Sequence, residues 1–195
     1  MARISNWLIA HTSFLTLLIA TAFFAAYMVM VIPAKTAEHA KIQGDAGSID
    51  ITFGNRPADI LAKAEAYGPA GREAMIESHL VFDGFFPLAY GGFLVTAIAW
   101  LSGRAFVLDS RWRQLTLVPL FAMLFDYTEN LSIVVLMMIY DSANAELVRL
   151  AWLVSAANLL KWLFVYGSFL VLAIVLIPWV WKLVKRGSAP AGTIS

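Results

Sequence analysis

The sequence contains no cysteine, which excludes disulfides, thiol redox relays, thiolate metal sites and iron–sulfur clusters. A membrane oxidoreductase working through a Cys-x-x-Cys pair is excluded with them. Charge is also scarce: 14% of the 195 residues are Asp, Glu, Lys or Arg and the net charge is +1, whereas soluble domains carry about 25% charged residues. There is no P-loop, no glycine-rich dinucleotide signature, no HExxH pattern and no basic patch, so no nucleic-acid partner is expected.

Hydrophobic residues make up 61% of the chain and are gathered into long blocks. Four blocks, 7–32, 79–101, 115–140 and 150–181, reach or exceed the roughly 20 residues that a helix needs to cross a bilayer. The fold expected is all-α: a polytopic integral membrane protein with four transmembrane helices in an antiparallel bundle and a partly helical exterior loop over 33–78. Residues 1–186 form one domain, followed by a short cytoplasmic tail at 187–195. The first apolar block is longer than the 7–15 residues of a signal h-region and reads as a retained helix. Arg3, Arg104, Arg111, Arg113, Lys182, Lys185 and Arg186 fall on one side of this topology. The positive-inside rule then places both termini in the cytoplasm, with the inner (plasma) membrane as the location.

The exterior loop divides at its Gly and Pro residues. Residues 48–53 alternate as a short extended segment ended by Gly54-Asn55. Residues 57–67 read as a helix with Pro57 in its first turn and Gly68 as its stop, carrying Ile60, Leu61, Ala64 and Tyr67 on one face. Such a helix either lies on the bundle top or acts as a lid. From Gly71 the chain is expected to run as an unbroken helix into the second block.

Ionisable residues sit deep inside the apolar blocks, where each costs at least about 2.5–3.5 kcal/mol. Asp126, Glu129 and Asn130 stand at i, i+3 and i+4 and share one helix face. Asn158 and Lys161 form an i, i+3 pair in the last block, with Ser168 further along the stripe; Asp83, Pro87 and Tyr90 share a face in the second. A rise of about 1.5 Å per residue puts Tyr90, Glu129 and Lys161 at a similar depth. Because 115–140 and 150–181 are joined by a short loop, they should be neighbours, and Glu129–Lys161 is the expected ion pair. Asn130 with Asn158 is a second expected contact. Pro87 has no N–H, so the Asp83 carbonyl loses its helical partner and needs another. Gly91-Gly92 allows close helix approach.

Three intramembrane acids against one lysine imply a protonated carboxyl or a bound cation. The leading expectation is an outward-facing pocket in which Asp83, Tyr90, Asn130, Asn158 and Lys161 bind a small polar or amphipathic ligand or an ion. An alternative is a membrane-embedded acid–base enzyme of isomerase or cyclase type acting on a lipid or isoprenoid, with Asp126 and Glu129 as catalytic residues. Another is a non-catalytic subunit of a larger complex. The expected partners are the lipid bilayer, the ligand, and either copies of this chain or a larger membrane assembly. No metal or cofactor is expected: His79 and Asp83 at i, i+4 could ligate a metal, but no second histidine accompanies them. Four spans with a long first exterior loop resemble the tetraspan junction proteins, whose loop cysteine pair is absent here, so no family is assigned.

Overall fold

A computed structural model describes residues 1–141 and 145–187. Most of the expected tail, 188–195, lies outside the described residues. The chain is 85% helical, with no strands among the described residues, and four helical stretches are long and apolar enough to cross a membrane. These are Phe14–Ala37, Gly68–Ala105, Arg111–Met138 and Glu146–Lys182.

The first block divides at its start. Ala2–His11 forms a separate helix α1, and α2 begins at Phe14 rather than within 7–32 as one run. The cause is local. Ser13 and Thr16 form a capping box, each side chain receiving the other's backbone N–H, which starts a new helix at this point. Helix α2 (Phe14–Ala26) passes through a π-helical stretch, Tyr27–Val31, into α3 (Ile32–Gln43). Ser5 of α1 bonds the Arg113 carbonyl and the Thr116 hydroxyl, fastening α1 beneath the 3₁₀ segment Arg111–Leu117.

Helix α4 (Pro57–Ala66) forms as its sequence predicts, and Gly68, at φ +64°, makes the left-handed turn that separates it from α5 (Gly68–Val81). Ile60 and Ala64 are fully buried and Tyr67 nearly so. They join Ile49, Met75, Ile133, Leu136, Ala151 and Val154 in one apolar cluster. Burial of a side chain such as Ile60 is worth roughly 1.5–3 kcal/mol, so α4 is packed onto the helices below it.

Two expectations about the chain path are corrected. Residues 48–53 form bends and a turn instead of an extended segment. Thr52 Oγ1 donates to the Ser48 carbonyl (2.9 Å), and the Asn55 amide donates to the carbonyls of Ile49 and Thr52. These bonds take up the backbone groups that a strand would offer to a neighbour. The helix expected to run unbroken from Gly71 stops at Val81, makes a turn over 82–85 and resumes as α6 (Phe86–Ala105), with Pro87 in its first turn.

Helix α7 (Val118–Met138) packs along α8 (Glu146–Gly187) and against α6. A Cβ at Gly91 would stand 2.3 Å from the Met123 side chain, so glycine permits the α6–α7 approach; Gly92 meets nothing within 4 Å. At the far end of α6, Lys182 of α8 donates to the carbonyls of Arg104 and Ala105 (3.1 and 2.7 Å), satisfying groups that a helix C-terminus leaves open.

Candidate functional site

The turn at 82–85 is held by three side chains from two other elements, the π-helical stretch and α7. Tyr27 donates its hydroxyl to the Phe82 carbonyl (2.7 Å), Asn130 its amide to the Asp83 carbonyl (3.2 Å), and Tyr127 its hydroxyl to the Gly84 carbonyl (2.9 Å). Three consecutive carbonyls at the helix break each accept from a side chain, the Phe82 carbonyl in addition to the backbone N–H groups of Phe85 and Phe86, as burial away from water requires. The Asp83 carbonyl, which Pro87 deprives of its helical partner, is the middle one.

Glu129 and Lys161 form an ion pair between α7 and α8, with both side chains buried. Asn158 does not meet Asn130. It donates to Glu129 Oε1 (2.7 Å) and to the Asp50 carbonyl (3.2 Å), and accepts from the Gly54 N–H (3.0 Å). Lys161 donates to the same Asp50 carbonyl at 2.9 Å. Ser155 adds a bond to the Asn55 carbonyl (2.6 Å). The loop around 50–55 is thus seated on α8 directly above the ion pair, a contact made through backbone atoms. Ser168 turns back to the Phe164 carbonyl of its own helix (2.6 Å) and takes no part.

Beside this network lies a cavity of about 440 Å³. Asp50, Asp83, Tyr90, Asp126, Asn130 and Lys161 line its polar side; Phe24, Met28, Trp162, Val165 and Phe169 form an apolar wall. Asn130 bridges from the Asp83 carbonyl to Asp126 Oδ1 (3.3 Å). The Tyr90 hydroxyl lies near Asp126 without a hydrogen bond of good geometry. Of the residues expected to form the site, Asp83, Tyr90, Asp126, Asn130 and Lys161 converge on the cavity. Glu129 and Asn158 are fully buried and do not line it. The two carboxyls expected to act as a catalytic pair are therefore separated, Asp126 on the wall and Glu129 off it.

Sequence reasoning missed Asp50, Lys35 and Tyr27. Lys35 lines the cavity and its ammonium stands 3.1 Å from the centre of the Phe82 ring, a cation–π contact. Asp50 lies between two isoleucines, an acid in an apolar setting that could have marked it. Burial acts to raise its carboxyl, but the proximity of His79 and Lys161 and a bond from the Ser48 hydroxyl hold it below the ordinary range. One carboxylate or ring-nitrogen atom each from Asp50, His79 and Asp83 lies within 4.8 Å of the others. The group that joins His79 and Asp83 is thus a loop carboxylate rather than a second histidine. No protein-family model, curated protein or solved structure matches the chain.

Proposed function

We propose that this is a multi-pass protein of the inner (plasma) membrane whose four spans form an antiparallel bundle, and that its cavity binds a small amphipathic molecule. The observation that carries the reading is the division of the cavity wall into a polar side built from α6, α7 and α8 and an apolar side running along α2 and α8. A polar head placed at Asp126, Asn130 and Lys161 leaves an apolar tail to lie along Phe24, Trp162 and Val165. Volumes of about 300–1,000 Å³ with a few convergent polar groups are usual for small-molecule sites.

Membrane insertion is supported by the broadly exposed apolar side chains of the first span, among them Phe14, Leu18, Ile19 and Phe23. The bonds from Lys182 to Arg104 and Ala105, and from Ser5 to Arg113, gather the basic segments at one end. That end is assigned to the cytoplasm, and the loop with α4 to the outside. The cavity then faces the exterior half of the membrane.

The test is native mass spectrometry of the protein purified in mild detergent. A small molecule carried by wild type should be lost from Val165→Trp, which fills the cavity, and retained by Leu163→Trp, on the exposed side of the same helix. A wild-type protein that carries nothing, or equal retention in the two variants, would overturn the reading.

A further inference from the structure

His79 is 2% exposed. Its Nδ1 lies 2.9 Å from the Met75 carbonyl, an atom that can only accept, so Nδ1 carries the proton. The remaining ring nitrogen, Nε2, is buried with no hydrogen-bond partner among the described residues. Protonation of Nε2 would bury an N–H with no acceptor, and the neutral ring buries a lone pair with no donor. A backbone carbonyl holding one imidazole nitrogen while the other stays bare is the usual outer-shell arrangement of a metal-bound histidine.

Two carboxylates accompany it. Asp83 follows one turn later, with Oδ2 3.7 Å from the ring at Nδ1, and Asp50 arrives from the loop, each of the three residues offering one possible ligand atom within 4.8 Å of the others. Ligands on one tetrahedral ion stand roughly 3.3 Å apart, so binding through Nε2 requires the two carboxylates to turn from the Nδ1 edge of the ring toward Nε2. Charge points the same way. Among the described residues, Asp50, Asp83 and Asp126 on the cavity wall, with Glu129 nearby, face Lys35 and Lys161, and Lys63 lies close enough to Asp50 to interact with it. Ionised, the four acids outnumber these three lysines in a low-dielectric setting, an excess of negative charge that a bound cation offsets.

We propose that Asp50, His79 and Asp83 bind a divalent transition-metal ion at the edge of the cavity. One imidazole with two carboxylates suits zinc, manganese or iron rather than calcium or magnesium. Three protein ligands leave a coordination position open, and because Asp50 and Asp83 also line the cavity, that position faces it. Occupancy would also tie the loop to the turn at 82–85. The site stands or falls independently of what else the cavity holds.

The experiment strips the full-length protein in detergent with a chelator, dialyses it against zinc or manganese, and counts bound metal by mass spectrometry. One ion per wild-type chain is expected. His79→Ala and Asp50→Asn should each weaken binding by more than about 100-fold, since loss of outer-shell partners alone costs about 10–100-fold, and the exposed His11→Ala should bind like wild type. Metal-edge X-ray absorption of the loaded wild type tests the site without any substitution, the expected shell having one imidazole and the rest oxygen. Absence of stoichiometric metal, unchanged binding in both ligand variants, or a shell with no imidazole or with several would overturn the proposal.

Discussion

Asn130 on α7 donates its side-chain amide to the carbonyl of Asp83, 3.2 Å away, the carbonyl that Pro87 leaves without a helical N–H. A residue chosen for its place on one span thus repairs a defect in another. Replacing it with leucine leaves the Asp83 carbonyl and Asp126 Oδ1 short of a donor, at a cost of about 1–3 kcal/mol. Pro87→Ala restores an N–H to the helix and should make Asn130→Leu less damaging. Unfolding in mixed micelles measures this through a double-mutant cycle; losses that simply add would show that the proline and the asparagine are not linked.

The Glu129–Lys161 pair is buried on both sides, so removing one partner strands a charge and should cost about 3–5 kcal/mol. Glu129→Gln with Lys161→Met should recover much of that loss. Equal stabilities for the double mutant and the worse single mutant would mean that Asn158 and the Asp50 carbonyl, and not the charge pairing, hold the two helices in register.

This pair was legible from the sequence because two helical spans joined by a short loop fix which residues share a level. Side-chain periodicity carries that information. What it does not carry is backbone chemistry: the Asp50 carbonyl that receives both Asn158 and Lys161 has no signature in residue type. The same limit explains the misplaced Asn158, whose partners are a loop carbonyl, a loop N–H and Glu129 rather than Asn130. Pro87 did signal the freed carbonyl, but the break was hidden because apolar content runs through 82–85 without a gap. His79 and Asp83 were visible as an i, i+4 pair; the carboxylate that joins them, Asp50, comes from a loop whose path no periodicity describes.

The seated loop gives a third prediction. Asn158→Ala removes the acceptor of the Gly54 N–H and a donor to the Asp50 carbonyl. Amide exchange at Gly54 should rise by at least about tenfold, corresponding to the loss of roughly 1.4 kcal/mol of local stability. Exchange at Gly54 that matches wild type would show that Ser155 and Lys161 suffice to hold the loop.

The loop should also respond to alkaline pH through Tyr67, whose hydroxyl donates to the Gly47 carbonyl at 2.6 Å. Burial first, and the Asp50 charge second, push its phenol above the ordinary value of 10.0. A raised folded value means that the folded state favours the protonated phenol. Its contribution is therefore complete below about pH 10 and is lost as pH rises through the folded value. Tyr67→Phe should lower stability at neutral pH by about 0.5–1.5 kcal/mol, and the gap from wild type should close at high pH. A gap that stays constant across the alkaline range would remove Tyr67 from the linkage.

Asp126 decides between a pocket that only binds and one that also transfers a proton. Its carboxyl lies on the cavity wall, with Tyr90 beside it and Asn130 on Oδ1, while Glu129 is held by Lys161 and Asn158 off that wall. Asp126→Asn keeps shape and hydrogen bonding and removes the acid; Asp126→Leu removes both. For a binding site, the small molecule carried by wild type should be retained by Asp126→Asn with less than about tenfold loss of affinity, or roughly 1.4 kcal/mol, and lost from Asp126→Leu. For an acid–base enzyme, Asp126→Asn should still bind while turnover falls by the 10²–10⁴-fold typical of a missing general acid, or about 3–5 kcal/mol of barrier. Affinity measured by titration, and conversion of the bound molecule followed by mass spectrometry, separate the two. If Asp126→Leu binds and behaves as wild type does, the wall at Asp126 is not where the head group sits, and the placement of the ligand in this cavity fails at its central residue.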